Sequence, residues 1–343
     1  MFQLIQQQPS KILTLVLLVI VLILILKRVA HKVSLIDKPN ARKSHQSVTP
    51  LVGGICIFLA CGLSLSIFGD MRGQDIITLF VASGLVLFLG VLDDKFELKA
   101  GVKLLSQIMI SYVFINSTGL QVTNIVVPFG LQNVFELGFW SLPFTILAIV
   151  GLTNAFNMID GCDGLAASLA GLAILALLSF GSSQFEFLMQ NFLLMLLVCI
   201  CVFLLFNLSN NPELKIFLGD GGSLFLGFVV SVSLVKFAES NETYSSSIVL
   251  WFVAVPVYDF CAVVMRRTLL RRKIMSADRS HLHHYLLSVG LSHFQTTMLI
   301  LFTAITLLCI GTFLEANYPS LSLFAFGGLF TAYLSLRLLN HRT

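Results

Sequence analysis

The chain has 343 residues, 57% hydrophobic and only 11% charged, with a mean hydropathy of +0.93 and a formal net charge of +4. A water-soluble domain carries about a quarter charged residues, so this composition excludes a soluble globular protein, and no nucleic-acid partner is expected. Most of the chain must sit in lipid, and its apolar runs approach the ~20 residues that cross ~30 Å of hydrocarbon as helix, not the ~10-residue alternating segments of a barrel.

In chain order the apolar runs fall at 12–26, 51–68, 76–92, 102–119, 139–154, 165–180, 187–206, 224–237, 247–265, 296–314 and 321–338. They predict an all-α, polytopic integral membrane helix bundle of about 11 transmembrane helices, forming a single domain over 1–343. No small-residue cleavage site follows the first run, which leads into a basic loop, so it reads as a retained helix and not a removed signal peptide. Lys and Arg stay on the cytoplasmic side of short membrane loops. With the N-terminus outside, all but Lys11, Arg72 and Lys236 of the 21 Lys and Arg fall on inner segments. The expected topology is N-terminus outside and C-terminus cytoplasmic, with an inner face that attracts anionic headgroups and phosphorylated substrates. Six of the seven cysteines lie inside apolar runs without any C-x-x-C spacing and are expected to act as small hydrophobes.

The polar motifs all fall on that inner face. Asp93 and Asp94 end the third run in VLDDKFELK. Adjacent acids repel unless a cation lies beside them, and a divalent metal is a natural partner. Residues one apart on a helix diverge by about 100°, so one carboxylate could bind metal while the other faces a different reactant. Between runs five and six, NAFNMIDGCDGL places Asn154, Asn157, Asp160 and Asp163 at three-residue spacing, a pattern that stacks them on nearly one helical face. It lacks the position-12 glutamate of a calcium-binding EF-hand. In FLGDGGS, the glycines around Asp220 and a capping Ser223 suggest a helix N-terminus whose free N–H groups suit phosphate, with a carboxylate to hold metal there. Pro256 invites a kink in run nine, and Asp259 lies inside it, where an acid is either functional or internally paired. The last inner loop ends in DRSHLHH. His281, His283 and His284 could bind zinc, but beside Arg279 they suit a diphosphate better, as hydrogen-bond donors and charge neutralisers.

Together these features describe a metal-dependent site handling phosphate at the membrane surface, with phosphoryl transfer to a lipid acceptor as the chemistry. A secondary transporter would also place acids in a bundle, but near the midplane and with inverted repeats. LDDKFEL, NAFNMIDGCDGL, FLGDGGS, PVYD and DRSHLHH, with DKPNARKSHQSVTPLVGG in the first inner loop, resemble the polyprenyl-phosphate N-acetylhexosamine-1-phosphate transferases over nearly the whole chain. The HLHH form and the RKSHQ loop resemble the bacterial undecaprenyl-phosphate N-acetylglucosamine-1-phosphate branch, which initiates O-antigen, common-antigen or teichoic-acid linkage synthesis. The resemblance implies an enzyme of the bacterial inner (plasma) membrane, with its active site cytoplasmic. It would join UDP-N-acetylglucosamine, or another UDP-N-acetylhexosamine, to undecaprenyl phosphate and release UMP, using Mg2+ or Mn2+ in its place. A homodimer is compatible with it.

By the same resemblance, Asp94, Asp220 and Asn157 would hold the metal, and Asp93 would deprotonate or orient the lipid phosphate. Asp160 and Asp163 would line the nucleotide pocket with Asn154 and Asn157. Lys43, His45, Arg279, His281, His283 and His284 would contact phosphates or sugar, and Asp93, Asp94, Asp160, Asp163 and His281 would form the catalytic set. Glu97 stands where many relatives have Asp or Asn. Single displacement and a covalent aspartyl intermediate use the same residues.

Overall fold

The computed structural model describes residues 9–37, 48–67, 73–126, 134–181, 187–240, 247–271 and 281–339. Every expected apolar run falls on a helix. The first eight are α1 (Pro9–Val33), α2 (Gly53–Ile67), α3 (Gln74–Phe96), α4 (Ala100–Thr118), α5 (Ser141–Ile159), α6 (Leu165–Phe180), α7 (Phe187–Asn207) and α8 (Gly219–Ser240). The ninth run is broken into α9 (Ile248–Phe252) and α10 (Ala254–Leu269) at Val253. Pro256, in the first turn of α10, has no N–H for the Phe252 carbonyl, so the helix resets there. After a short α11 (Leu282–Ser288), which carries no hydropathy signal, come α12 (His293–Asn317) and α13 (Pro319–Leu339).

Among the described residues seven helices, α1, α3, α5 with its preceding turn, α7, α8, α12 and α13, are long and apolar enough to cross a membrane, and α2 and α6 are shorter apolar helices. The protein is a helical membrane protein. Helix α8 is its axis: 89% of its apolar window is buried, against 17% for α1 and α13. It packs chiefly on α3 and α5, and also on α2 and α6. A helix that is apolar all round belongs in the interior. Lipid is as apolar as leucine, so helices in it associate through close packing, which small residues permit. A Cβ on Gly54 of α2 would overlap Gly222, and one on Gly90 of α3 would overlap Gly221. The glycines of GDGGS therefore let two helices touch the start of α8.

Two small ribbons complete the structure. Strand β1 (Ile36–Asp37) pairs antiparallel with β2 (Thr49–Pro50), and β3 (Asn124–Val126) with β4 (Val134–Glu136). The first ribbon and the start of α2 are stitched to the segment that leads into α8, since Phe217 N donates to Pro50 O (2.8 Å) and Gly54 N to Leu218 O (3.0 Å).

Candidate active site

The site forms where α3 and α5 end and α8 begins. The two acids of α3 diverge as their spacing requires. Asp93 is 6% exposed and turns to α4, its Oδ2 accepting from Lys103 Nζ (2.5 Å) and its Oδ1 from Leu98 N (2.9 Å). Asp94 turns to α8, its Oδ1 accepting from Asp220 N (3.0 Å) and its Oδ2 from Gly221 N (3.3 Å). This corrects the expectation of free phosphate-binding amides at GDGGS, because a carboxylate already occupies two of them. Ser223 is also not a cap. It lies within α8, donating to Asp220 O (3.3 Å) and accepting from Asn157 Nδ2 (3.0 Å).

Asn157 also donates to Asp220 Oδ1 (3.1 Å), which ties α5 to α8. The four polar residues of NAFNMIDGCDGL do not share one helical face, because α5 stops at Ile159 and Asp160 caps it. Asn154 turns instead to Gln107 Oε1 on α4 (2.5 Å). Asp160 follows α5 directly, its carboxyl held well above the usual carboxylate range first by burial and then by the charges of Asp220, Asp94 and Asp163. Asp163 lies in the following turn, where its Oδ2 pairs with Lys215 Nζ (2.6 Å) and its carbonyl accepts from Thr297 Oγ1 of α12 (2.9 Å).

The histidines lie against the α5–α6 turn and α10. His281 is held by Asp259, Nδ1 to Oδ2 at 2.8 Å, while Leu282 N donates to Asp259 Oδ1 at 2.8 Å. Asp259 is thus internally paired, the second of the two readings its position allowed. His283 packs onto Gly161, where a Cβ would overlap its ring, so the glycine seats the histidine segment on the α5–α6 turn. Its ring lies parallel to His281 (centroids 5.9 Å) and tilted against His284 (4.1 Å). Burial, then the charge of His284, lowers its imidazole to about 3, so it is neutral at physiological pH. Lys43, His45 and Arg279 lie outside the described residues.

The structure therefore brings Asp94, Asn157, Asp160 and Asp220 together, with Asp93 and Lys103 on one side and His281, His283 and His284 on the other. Asn154 faces away from the acids. Sequence reading missed the pairing roles of Lys103 and Lys215, which it counted only as inner-face charges. Lys103 stands ten residues after Asp93, across a three-residue helical connection, and that geometry was readable.

Residues 76–238 match the model of glycosyl transferase family 4. The chain is 36% identical over 285 residues to a probable undecaprenyl-phosphate N-acetylglucosaminyl 1-phosphate transferase of Bacillus subtilis, covering 83% of this chain and 78% of that one. The chain belongs to glycosyl transferase family 4. Undecaprenyl-phosphate alpha-N-acetylglucosaminyl 1-phosphate transferases of Yersinia pestis (31% identity, 83% of this chain and 78% of that one) and Salmonella typhi (30%, 90% and 84%) are also similar. It is a membrane-embedded phosphoglycosyl transferase, and its family match contains Asp93, Asp94, Asn157, Asp160, Asp163 and Asp220 but ends before the histidines.

Proposed function

We propose that this enzyme transfers N-acetylglucosamine 1-phosphate from UDP-N-acetylglucosamine to undecaprenyl phosphate on the cytoplasmic membrane face, releasing UMP and starting a cell-surface polysaccharide. The observation that carries the reading is the convergence of Asp94 from α3, Asn157 from α5 and Asp220 from α8 at one end of the bundle, closed by the histidines of α11. The 1-phosphate transferases to which the chain is similar carry this acceptor and sugar in their names. The charge split of the loops supports eleven spans with the site facing the cytoplasm.

The donor set suits Mg2+, or Mn2+ in its place. Among the described residues no three His, Cys, Asp or Glu side chains form a preformed cage. Magnesium needs none, since it is usually held by one or two carboxylates with substrate phosphates and water. Asp94 and Asp220 would hold it, with Asn157 orienting Asp220. When bound, such an ion neutralises charge on the phosphates. The lipid phosphate oxygen bonds to the β-phosphorus, the bond from that phosphorus to the bridging oxygen breaks, and UMP leaves with the electron pair. Asp93 has both oxygens engaged, by Lys103 and by Leu98 N. Its ion pair with the Lys103 ammonium makes Asp93 a poorer nucleophile and suits orientation of Lys103 toward a phosphate, so direct displacement is favoured. His281, His283 and His284 face the nucleotide diphosphate, Lys43, His45 and Arg279 would add phosphate or sugar contacts, and Asp160 and Asp163 line the nucleotide pocket.

The test offers purified protein undecaprenyl phosphate and Mg2+ with radiolabelled UDP-N-acetylglucosamine or UDP-N-acetylgalactosamine. Label should enter the organic phase from the first alone, with UMP released and transfer lost on chelation. Transfer from the second alone would overturn the sugar assignment, and transfer without metal would overturn the site.

A further inference from the structure

Asp259 and the last helix are not used by that chemistry, yet they are bonded to the histidine segment. Asp259 is 2% exposed and takes three hydrogen bonds: His281 Nδ1 on Oδ2 (2.8 Å), and Leu282 N (2.8 Å) and Tyr333 Oη (3.2 Å) on Oδ1. A carboxylate only accepts, so Nδ1 carries the proton and Nε2 is the nitrogen left to meet a ligand. Tyr333 belongs to α13, which is docked along one stripe. Ser322 Oγ accepts from Trp251 Nε1 (2.9 Å), Phe326 O accepts from Tyr258 Oη (2.7 Å), and Arg337 lies over the Tyr285 ring (5.2 Å). Ser322, Phe326, Tyr333 and Arg337 recur at spacings that share a helical face. This stripe runs from the break at Val253 to α11, so the terminal helix holds both ends of the Asp259–His281 connection.

We infer that Asp259 and Tyr333 are positioning residues: they fix the orientation of the His281 ring, so that with Nδ1–H on Asp259 the Nε2–H of the protonated ring is presented as a donor to the diphosphate of the nucleotide sugar. This rests on the proposed placement of His281 at the substrate. Neither residue touches the reacting atoms. Asp259→Asn is close to isosteric and retains an oxygen for Leu282 N and Tyr333, but it removes the negative charge that pairs with the protonated ring and can turn an N–H toward Nδ1, so the ring loses its fixed orientation. The orienting partner of a metal-ligating histidine is typically worth about 10- to 100-fold, and a loss of that order is expected here. The hydroxyl of Tyr333 contributes one hydrogen bond to a charged group, which corresponds to about tenfold.

The experiment measures KM for UDP-N-acetylglucosamine and for undecaprenyl phosphate separately, in Asp259→Asn, Tyr333→Phe, His281→Gln and the doubles with His281→Gln. Both positioning variants should raise KM for the nucleotide sugar and leave that for the lipid unchanged. A loss of folded enzyme would move neither constant. In the His281→Gln background the same changes should add little, because coupled residues are non-additive. Unchanged nucleotide KM, or full additivity with His281→Gln, would overturn the positioning inference alone. Wild-type kinetics in His281→Gln would overturn both it and the placement of His281. If Asp259→Asn does not fold, Tyr333→Phe reads the same cycle.

Discussion

Substitution of Gly90 by alanine tests whether helix packing sets the site geometry. Gly90 is one turn before Asp94 and faces the start of α8, where a Cβ would lie 2.5 Å from Gly221 N and 2.7 Å from the Asp220 carbonyl carbon. Both are main-chain atoms that no rotamer change can move. Comfortable carbon contacts begin near ~3.5 Å, so Gly90→Ala must part α3 and α8 by about 1 Å. The hydrogen bonds from Asp220 N and Gly221 N to Asp94, now 3.0 and 3.3 Å, would stretch beyond bonding range. Overpacking of this kind costs about 1–3 kcal/mol, and a misplacement of about 1 Å can cost about 100-fold in rate. Thermal unfolding in detergent and transfer to undecaprenyl phosphate read the two effects. Gly151 of α5 is the control, because a Cβ there meets nothing within 4 Å. Gly151→Ala should gain about 0.5–1 kcal/mol of stability and retain activity. Parental melting and turnover in Gly90→Ala would refute the account.

Lys103→Met should destabilise by roughly 2–4 kcal/mol, because it strips the cation from a carboxylate that is 6% exposed. Adding Asp93→Asn should restore most of the melting temperature but none of the turnover. Glu97 ends α3 at φ +50°, a left-handed conformation that glycine adopts without strain. Glu97→Gly should therefore stabilise by about 1 kcal/mol with turnover unchanged, and loss of turnover would show that the side chain acts in the reaction. His283 titrates near 3 in the fold against about 6.5 unfolded. Between those values the unfolded chain binds the extra proton, so stability is full above pH ~6.5 and falls on acidification by up to about 1.4 kcal/mol per unit. His283→Gln should flatten that slope, and an unchanged slope would exclude the burial of this imidazole as its cause.

The helices were legible because hydropathy in lipid is a strong signal, and Pro256 announced the break between α9 and α10. The site was legible as a set of acids but not as a set of bonds. Nothing in FLGDGGS says that its amides serve Asp94, since that contact joins residues 126 apart in sequence. Its glycines fitted a phosphate turn equally well until the neighbours Gly54 and Gly90 were in place. The three-residue spacing of NAFNMIDGCDGL promised one helical face, yet the helix ends at Ile159 and directs Asp160 and Asp163 to different partners. Hydropathy also could not reveal α11, whose position depends on His283 seated against Gly161 and on Asp259 beneath Leu282.

The charges of the site do not balance. Asp93 is offset by Lys103, Asp163 by Lys215, and Asp94 by two amides at the positive end of α8. Asp220 receives the neutral Asn157 amide, and Asp160 is raised by burial and by Asp220, Asp94 and Asp163. A carboxyl whose folded pKa lies above its unfolded value destabilises the fold as pH rises through that interval. At neutral pH Asp160 therefore works against folding, and Asp160→Asn should raise the melting temperature of metal-free protein. Mg2+ alone, without nucleotide or lipid, should raise it in the parent, because a ligand that binds only the folded state stabilises it. The gain should be smaller in Asp160→Asn, where one repelling charge has been removed, and lost in Asp220→Asn. An equal shift with Mg2+ in parent and Asp220→Asn would place the cation elsewhere and sink the electrostatic reading of the site.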